Sequence, residues 1–357
     1  MHRCIRSLGV AGLVIAAVAA SASARPVTLN FAEPSIDRWM NPFDSQPGYR
    51  GNASVFGSIG VVIPNFNFDD RYSQFLVGFD LPAAQVTPGL GTCRYRVTAA
   101  RLTLTVSTDL AYKYDPTVDP LASYTVADDG DGRPMELFGV AYRNGWQSCP
   151  IDPNNPSLSA FPCFYEGTQA APGPAFSPGS NPNENVRNAF ATDNAGGVLR
   201  DVSNFVRDQQ NVTPFSIGQI AGVAPGTLVP VDSVVTFDLD VASPDVQAYL
   251  RSAANTGLLR LMLAGMHPAS SGGGPGSGSY PTFYCKEIGI SGLAGTLSIT
   301  VNVLPPGDAN GDGAVSFLDI TTVLANFGSI GGGIDGDVDC SGSVSFIDIT
   351  TVLANFP

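Results

Sequence analysis

The sequence predicts a mainly β fold: a jelly-roll β-sandwich body followed by a small α-helical module at the C-terminus. Three observations carry this expectation. Glycine (40) and proline (28) are abundant while charged residues make up only 14%, a turn-rich composition with few exposed charged helices. Short apolar runs, several alternating with period two, recur between residues 73 and 303. From residue 308 onward, a 12-residue acidic segment with an apolar tail of helical period occurs twice.

Residues 1–24 read as a secretory leader. His2, Arg3 and Arg6 give a basic start, Leu8 to Ala20 is apolar, and Ala22-Ser23-Ala24 offers small residues for cleavage near Ala24, ahead of Arg25-Pro26. The apolar run is shorter than the roughly 20 residues a membrane-spanning helix needs. Cys4 precedes that run, which argues against a lipid-anchored cysteine. No later stretch is long and apolar enough to be a transmembrane segment. The expected product is exported, either secreted or held at a cell surface. Net charge is −13, with 18 Lys+Arg against 31 Asp+Glu, which argues against nucleic acid as a partner.

Residues 26–303 read as the β-sandwich domain. Ser73 to Leu81 is a strand, and Val97 to Ser107 alternates strictly from Arg101 to Val106, so one face is buried. Met135 to Tyr142 and Val234 to Val241 are further strands. Ser243-Pro244 then supplies a cap and first-turn pair for a short helix ending toward Gly257. Leu258 to Leu263 and Gly295 to Val303 complete the set. Many short strands separated by turns suggest a sandwich or jelly roll.

Five cysteines lie beyond the leader, and an exported protein can oxidise them. Cys149 and Cys163 bracket one Pro/Asn-rich loop and are expected to pair; Cys93 and Cys285 are available for a second bridge, leaving Cys340 odd. There is no CxxC pair and no Cys/His cluster, so zinc is not indicated.

Catalytic signals are few. His267 is the one histidine after the leader, and it sits beside Pro268-Ala-Ser-Ser-Gly-Gly-Gly, which reads as a solvated loop. No GxSxG, HExxH or phosphate loop occurs. A glycoside hydrolase needs only two carboxylates, and sequence spacing cannot pair those of the body. Asp128-Asp-Gly-Asp-Gly132 reads as a surface turn. Asn52-Ala-Ser54 and Asn211-Val-Thr213 fit glycosylation sequons. Trp39, Tyr49, Tyr72, Trp146 and Tyr280 are aromatics on which a sugar ring can stack, although Trp146 is expected to pack inside.

Residues 304–357 carry the most explicit chemistry. Asp308–Asp319 and Asp337–Asp348 are aligned 12-residue loops, each followed by the identical Ile-Thr-Thr-Val-Leu-Ala-Asn-Phe. Calcium is a hard cation that takes six to eight oxygens. Positions 1, 3 and 5 offer Asp308, Asn310 and Asp312, then Asp337, Asp339 and Ser341; position 6 is Gly313 or Gly342 for the sharp turn. Position 7 supplies a backbone carbonyl from Ala314 or Ser343, position 9 is Ser316 or Ser345, and position 12 is Asp319 or Asp348. Two Ca2+ sites are expected. Three acidic ligands in each loop repel one another without a cation, so calcium should order the loops. Ser341 at position 5 and Cys340 at position 4 make the second loop the less regular of the two.

Leu304-Pro305-Pro306-Gly307 blocks an incoming helix, and position 12 is Asp rather than Glu. A duplicated loop with only an exiting helix resembles the type I dockerin domain, over about Asp308 to Phe356. Phe317, Ile320, Val323, Leu324 and Phe327 recur at helical spacing, as do Phe346, Ile349, Val352, Leu353 and Phe356, and the two apolar faces are expected to pack together. The resemblance implies a cohesin-like partner module met through the helices, with Phe317, Leu318, Phe346 and Ile347 as contacts. The two Phe residues serve equally well as core, while Leu318 and Ile347 lie off the main apolar face. A calcium-stapled module without a partner is the alternative.

In the body, Phe75-Leu-Val-Gly-Phe-Asp80, Val97-Thr-Ala-Ala-Arg-Leu-Thr-Leu104, Glu136-Leu-Phe-Gly-Val140 with Trp146, Asp238 through Leu250 and Gly257-Leu-Leu259 resemble in order the secreted DNRLRE-type modules. These are jelly rolls related to carbohydrate-binding modules, which implies polysaccharide as a ligand class. Tyr284-Cys-Lys-Glu287 departs from that pattern, and no ligand residue carries over. The expected function is an exported, dockerin-bearing, non-catalytic protein. A secreted polysaccharide-degrading enzyme and a structural surface-layer component are the alternatives.

Overall fold

The computed structural model describes residues 26–41, 47–57, 71–119, 132–151, 161–167, 187–203, 211–268, 280–331 and 334–357. The leader at 1–24 and the Asp128–Asp131 run lie outside these residues.

Strands are numbered in chain order. One sheet runs β1 (Pro26–Phe31), β17 (Thr296–Val303), β5 (Tyr95–Thr105), β14 (Val234–Asp238) and β13 (Gln219–Ile220). The other runs β11 (Ala189–Thr192), β8 (Glu136–Tyr142), β15 (Leu258–Ala264), β4 (Gln74–Asp80) and β2 (Ile36–Met40), with β12 (Ser216–Ile217) also on β8. Short pairs join β3 (Asn52–Ser54) to β16 (Thr282–Tyr284), β6 (Tyr114–Asp115) to β7 (Arg133–Pro134), and β9 (Gln147–Ser148) to β10 (Cys163–Phe164). Within the two main sheets every pairing is antiparallel.

The eight principal strands in chain order are β1, β4, β5, β8, β11, β14, β15 and β17. They fall into the neighbour orders β1-β17-β5-β14 and β4-β15-β8-β11. This is the jelly-roll connection, two Greek keys rolled into facing sheets. The protein is mainly β, with a sandwich body and a small helical region at its C-terminus, as the turn-rich, alternating sequence predicts.

Alternation places the core. From β5, Ala100, Leu102 and Leu104 point inward, as do Phe75, Val77 and Phe79 of β4 and Leu259, Leu261 and Leu263 of β15. The intervening Leu76 and Met262 join Ile36, Met40, Phe138 and Val140 in a second cluster on the opposite face. The β4–β15 pair is therefore buried on both sides, which explains why these strands read as nearly continuous apolar runs. The β5–β17 register slips between Thr300 and Val301, so Val97 and Ala100 face the same core across a bulge.

One helix packs on the body. α1 (Pro244–Thr256) starts behind Ser243 with Pro244 in its first turn and stops at Gly257, whose φ of 75° is left-handed. Val246, Leu250, Ala253 and Ala254 enter the core. Gln247 uses both ends of its amide on Val97, accepting from its N–H at 2.9 Å and donating to its carbonyl at 2.8 Å. That contact satisfies backbone on β5 beyond the reach of β14.

Two expectations need correction here. Cys93 bonds to Cys340, not Cys285. Cys340 is thus not the odd cysteine; Cys285 is, packed at 0% exposure in the main core. Cys149 and Cys163 do pair. His267 is not a solvated loop residue: it is 2% exposed, with its ring edge-on to Tyr112 at 5.3 Å. Among the aromatics, Tyr72 is buried and Tyr49 exposed, while Trp39, Trp146 and Tyr280 are half-buried. Trp146 packs edge-on against Phe161 and against Phe164 of the second core cluster.

Burial holds the His267 imidazole neutral, its pKa pushed down to about 3, with the Arg133 charge acting in the same direction. In the unfolded chain it titrates near about 6.5. A depressed folded-state value contributes stability that is present above that pH and lost as pH falls toward 3. Denaturant midpoints measured from pH 7 to pH 4.5 should therefore drop more steeply for the wild type than for His267→Gln. Parallel slopes would mean the imidazole titrates freely.

Candidate metal centre and helix face

The two C-terminal loops position their carboxylates through their own backbone. In the first loop Asp308 is 4% exposed, and its two oxygens accept from Gly311 N (2.7 Å) and Gly313 N (2.8 Å). Asn310 Oδ1 accepts from Asp312 N, and Asp312 Oδ1 from Ala314 N. Asp319 is fully buried. One of its oxygens takes Ala309 N (2.8 Å) and Asn310 N (3.1 Å), the other Ser316 N (2.7 Å). Gly313 has φ of 92° and Gly342 has φ of 80°, the left-handed turn that position 6 demands.

The second loop repeats the scheme. Asp337 accepts from Ser341 N and Gly342 N, and Asp348 accepts from Val338 N, Asp339 N and Ser345 N. An oxygen each from Asp337, Asp339 and Asp348 lies within 4.8 Å of the others. The Ser341 hydroxyl donates to the Ser343 carbonyl at 3.1 Å, so the position-5 and position-7 oxygens already touch.

Each position-12 Asp does double duty. Ser316 caps α2 (Phe317–Ala325) and Ser345 caps α3 (Phe346–Ala354), and Asp319 and Asp348 complete reciprocal capping boxes. The carboxylate that closes each loop thus also starts its helix. Burial pushes the carboxyls of Asp308 and Asp337 up; at Asp308 the neighbouring Asp319 and Asp312 act in the same sense against its backbone donors, and at Asp337 so do Asp339 and Asp348. Negative charge is thus concentrated beyond what the N–H groups neutralise. The all-oxygen donor set suits a hard divalent cation. Asp308, Asn310, Asp312, Ala314, Ser316 and Asp319 would hold one ion; Asp337, Asp339, Ser341, Ser343, Ser345 and Asp348 would hold a second.

The helices pack differently from the expected apolar stripe. Their small core is Ala309, Val323, Val338, Val344 and Val352, flanked by Val315, Ile320, Ile334 and Ile349. Loop positions 2 and 8 supply three of the five, Ala309, Val338 and Val344, because the helices are only nine residues long. Phe317, Leu324 and Phe327 stay exposed, as do Phe346, Leu353 and Phe356. Phe317 and Phe346 are 68% and 67% exposed, so the core role open to them in sequence is not theirs. Leu318 and Ile347 are each 60% exposed beside them.

The body holds this module by contacts the sequence did not announce. Beyond the Cys93–Cys340 bond, Arg96 Nη1 donates to Asn310 O at 2.7 Å, Arg94 Nε to Leu304 O at 2.6 Å, and Arg251 lies 3.5 Å from Asp335. Asn310 and Cys340 are positions 3 and 4 of the two loops, so both candidate sites rest on the body. An odd cysteine count and a cysteine inside a loop were the available signals.

A surface cleft of about 410 Å3 beside α1 is lined by Tyr142, Asn194, Leu199, Tyr249, Arg251 and Arg260 among others, with no carboxylate among its described residues. No helix among the described residues is long and apolar enough to cross a membrane. No family model matches the chain, and no curated protein matches it.

Two outcomes follow from this geometry. Asp319→Ala and Asp348→Ala each remove a capping box worth about 1–2 kcal/mol together with the loop N–H acceptors, and should lower helix content by circular dichroism even in saturating calcium. Reducing the disulfides should weaken calcium at the second loop more than at the first, read by calorimetric titration of the whole chain. Equal affinities before and after reduction would show that Cys340 does not organise its loop.

Proposed function

We propose that residues 304–357 form a dockerin-like, calcium-dependent docking module, and that the sandwich is the non-catalytic cargo it attaches to a cohesin-like partner. The observation that carries this reading is the pair of apolar steps Phe317-Leu318 and Phe346-Ile347. They start two near-identical helices, are exposed by 60–68%, and occupy positions 10 and 11 of the acidic loops. Exposed apolar residues repeated on duplicated elements mark an interaction surface more readily than a stability device. The converging oxygens of the second loop support the calcium dependence, and in both loops the capping Asp residues link metal binding to the helix starts that carry the apolar steps.

Export fits the same reading. Two disulfides in one chain belong to an oxidising compartment, and the leader-like residues 1–24 would deliver it there. Polysaccharide remains the ligand class for the body, with the exposed Tyr49 and the half-buried Trp146 and Tyr280 as the stacking surfaces to test.

The test is capture of the whole chain by immobilised cohesin modules, with and without chelator. Binding should require calcium. The double substitution Leu318→Asp with Ile347→Asp should weaken it at least 30-fold, the scale of losing roughly 2 kcal/mol at a contact hot spot. Capture that survives excess chelator, or ignores both substitutions, defeats the docking reading. Incubating the chain with a polysaccharide panel and assaying reducing ends should give binding without turnover. Turnover abolished by one carboxylate substitution would instead identify a glycoside hydrolase.

A further inference from the structure

A second concentration of carboxylates lies inside the body. Asp37 on β2, Glu166 just after β10, and Glu287 in the helical turn Lys286–Ile288 surround one ammonium, that of Lys286. Lys286 Nζ is 2.6 Å from Glu166 Oε1, 3.8 Å from Asp37 Oδ1 and 3.9 Å from Glu287 Oε1. Asp37 is 0% exposed and Glu166 2%. An oxygen of Asp37 and one of Glu287 also approach Cys285 Sγ within 4.8 Å. The position a cation would take among the carboxylates is served by the lysine itself.

Backbone bonds lock the arrangement. Lys286 N donates to Asp37 Oδ2 at 2.8 Å, and Asp37 N donates to Glu166 Oε1 at 3.0 Å. Glu166 therefore touches both the amine and the residue carrying the Asp37 carboxyl. Asp37 Oδ1, facing the amine, has no hydrogen-bond partner. With all groups ionised, three carboxylates and one ammonium leave a net charge of about −2 in a desolvated place, which favours proton uptake by the acids. Burial pushes Asp37 up and carries Glu166 to about 7 and Glu287 to about 9. The Asp37 carboxyl and the Lys286 nitrogen are thus held beside one another in a desolvated place with Glu166 touching both residues, the proximity that condensation of an acid with an amine needs.

We propose that Lys286 and Asp37 become joined by an amide bond, with Glu166 carrying the protons. Glu166 takes a proton from the Lys286 ammonium. The freed Nζ lone pair attacks Cγ of protonated Asp37. Glu166 protonates the departing hydroxyl, the Cγ–O bond breaks, and a water leaves. Glu166 regains a proton from the nitrogen as the Nζ–Cγ amide forms. The ammonium, the Asp37 acid and the Glu166 carboxylate become an amide, a water and a Glu166 acid, so atoms and charge balance without any oxidant or activated co-reactant. In water the amine and acid stay apart; held in contact they react at effective molarities of roughly 10^5–10^8 M, and burial keeps water from reversing the step. The bond would tie edge strand β2 to the turn after β16, residues 249 apart in sequence.

This bond does not depend on the docking reading. The reduced, denatured whole chain is digested with trypsin and analysed by mass spectrometry. The expected result is a branched peptide joining the Asp37 and Lys286 segments, lighter than their sum by one water, with no cleavage after Lys286. Glu166→Gln should fold with wild-type circular dichroism yet yield mainly linear peptides, and Lys286→Arg should yield only linear ones. Linear wild-type peptides of full mass overturn the proposal. So does a water loss confined to the Asp37 peptide, which is a cyclic imide, or undiminished cross-linking in Glu166→Gln.

Discussion

The body depends on one constraint: the β4–β15 pair has to be covered on both faces. Phe75, Val77 and Phe79 alternate with Leu76, so a single sheet cannot satisfy the strand. The first face is met by the sheet built on β5 and β17, and by α1. The second is met by Phe138, Ile36, Met40 and, from the segment after the Cys149–Cys163 bridge, Phe164. That second covering brings Glu166 against β2. The buried triangle of Asp37, Glu166 and Lys286 is thus a consequence of how the outer core is closed, not an isolated feature of one loop.

Negative charge is handled in two ways in this chain. In the body, desolvated carboxylates gather around a lysine of the chain itself, and burial pushes their pKa values up. In the C-terminal loops, backbone N–H groups hold the position-1 and position-12 carboxylates, the charges of Arg94 and Arg251 act on Asp308 and Asp337, and Arg96 Nη1 donates to the Asn310 carbonyl. Backbone donors orient carboxylates without cancelling their charge.

The sequence made some of this legible and hid the rest for identifiable reasons. Period-two alternation marked β5, strand-length apolar runs marked β4, β8, β14, β15 and β17, and Ser243-Pro244 with Gly257 marked α1 by its ends. The loop residues were legible because their spacing repeats position for position in the two loops. The disulfide partner of Cys93 was not: Cys340 reaches it only because the turn Thr92–Arg94 meets the second loop, 247 residues away in sequence. His267 was misplaced for a similar reason. Its glycine-rich neighbours read as solvent, while Tyr112, far away in sequence, covers its ring. The apolar stripe of the helices was read one step too wide. Nine-residue helices have one buried position per turn, and loop positions 2 and 8 fill the remainder of the core.

The same shortness explains why the module leans on the body. Five buried apolar side chains are a small core, below what a domain of this size needs to stand without a metal or a covalent staple. A disulfide spanning 247 residues removes about 5.5 kcal/mol of unfolded-chain entropy on the chain-entropy account. It does so at position 4 of the second loop, while Arg96 grips position 3 of the first. Both loops are therefore fixed to the sandwich by their outer rims, and both helices point their exposed apolar starts away from a core too small to take them in. Had the bridge instead joined Cys93 to Cys285, it would have stapled a core that is already dense, and the module would have rested on hydrogen bonds and one ion pair. Placing it in the loop ties the orientation of the apolar steps to the body, so a partner gripping the helices would also set the direction in which the sandwich is presented.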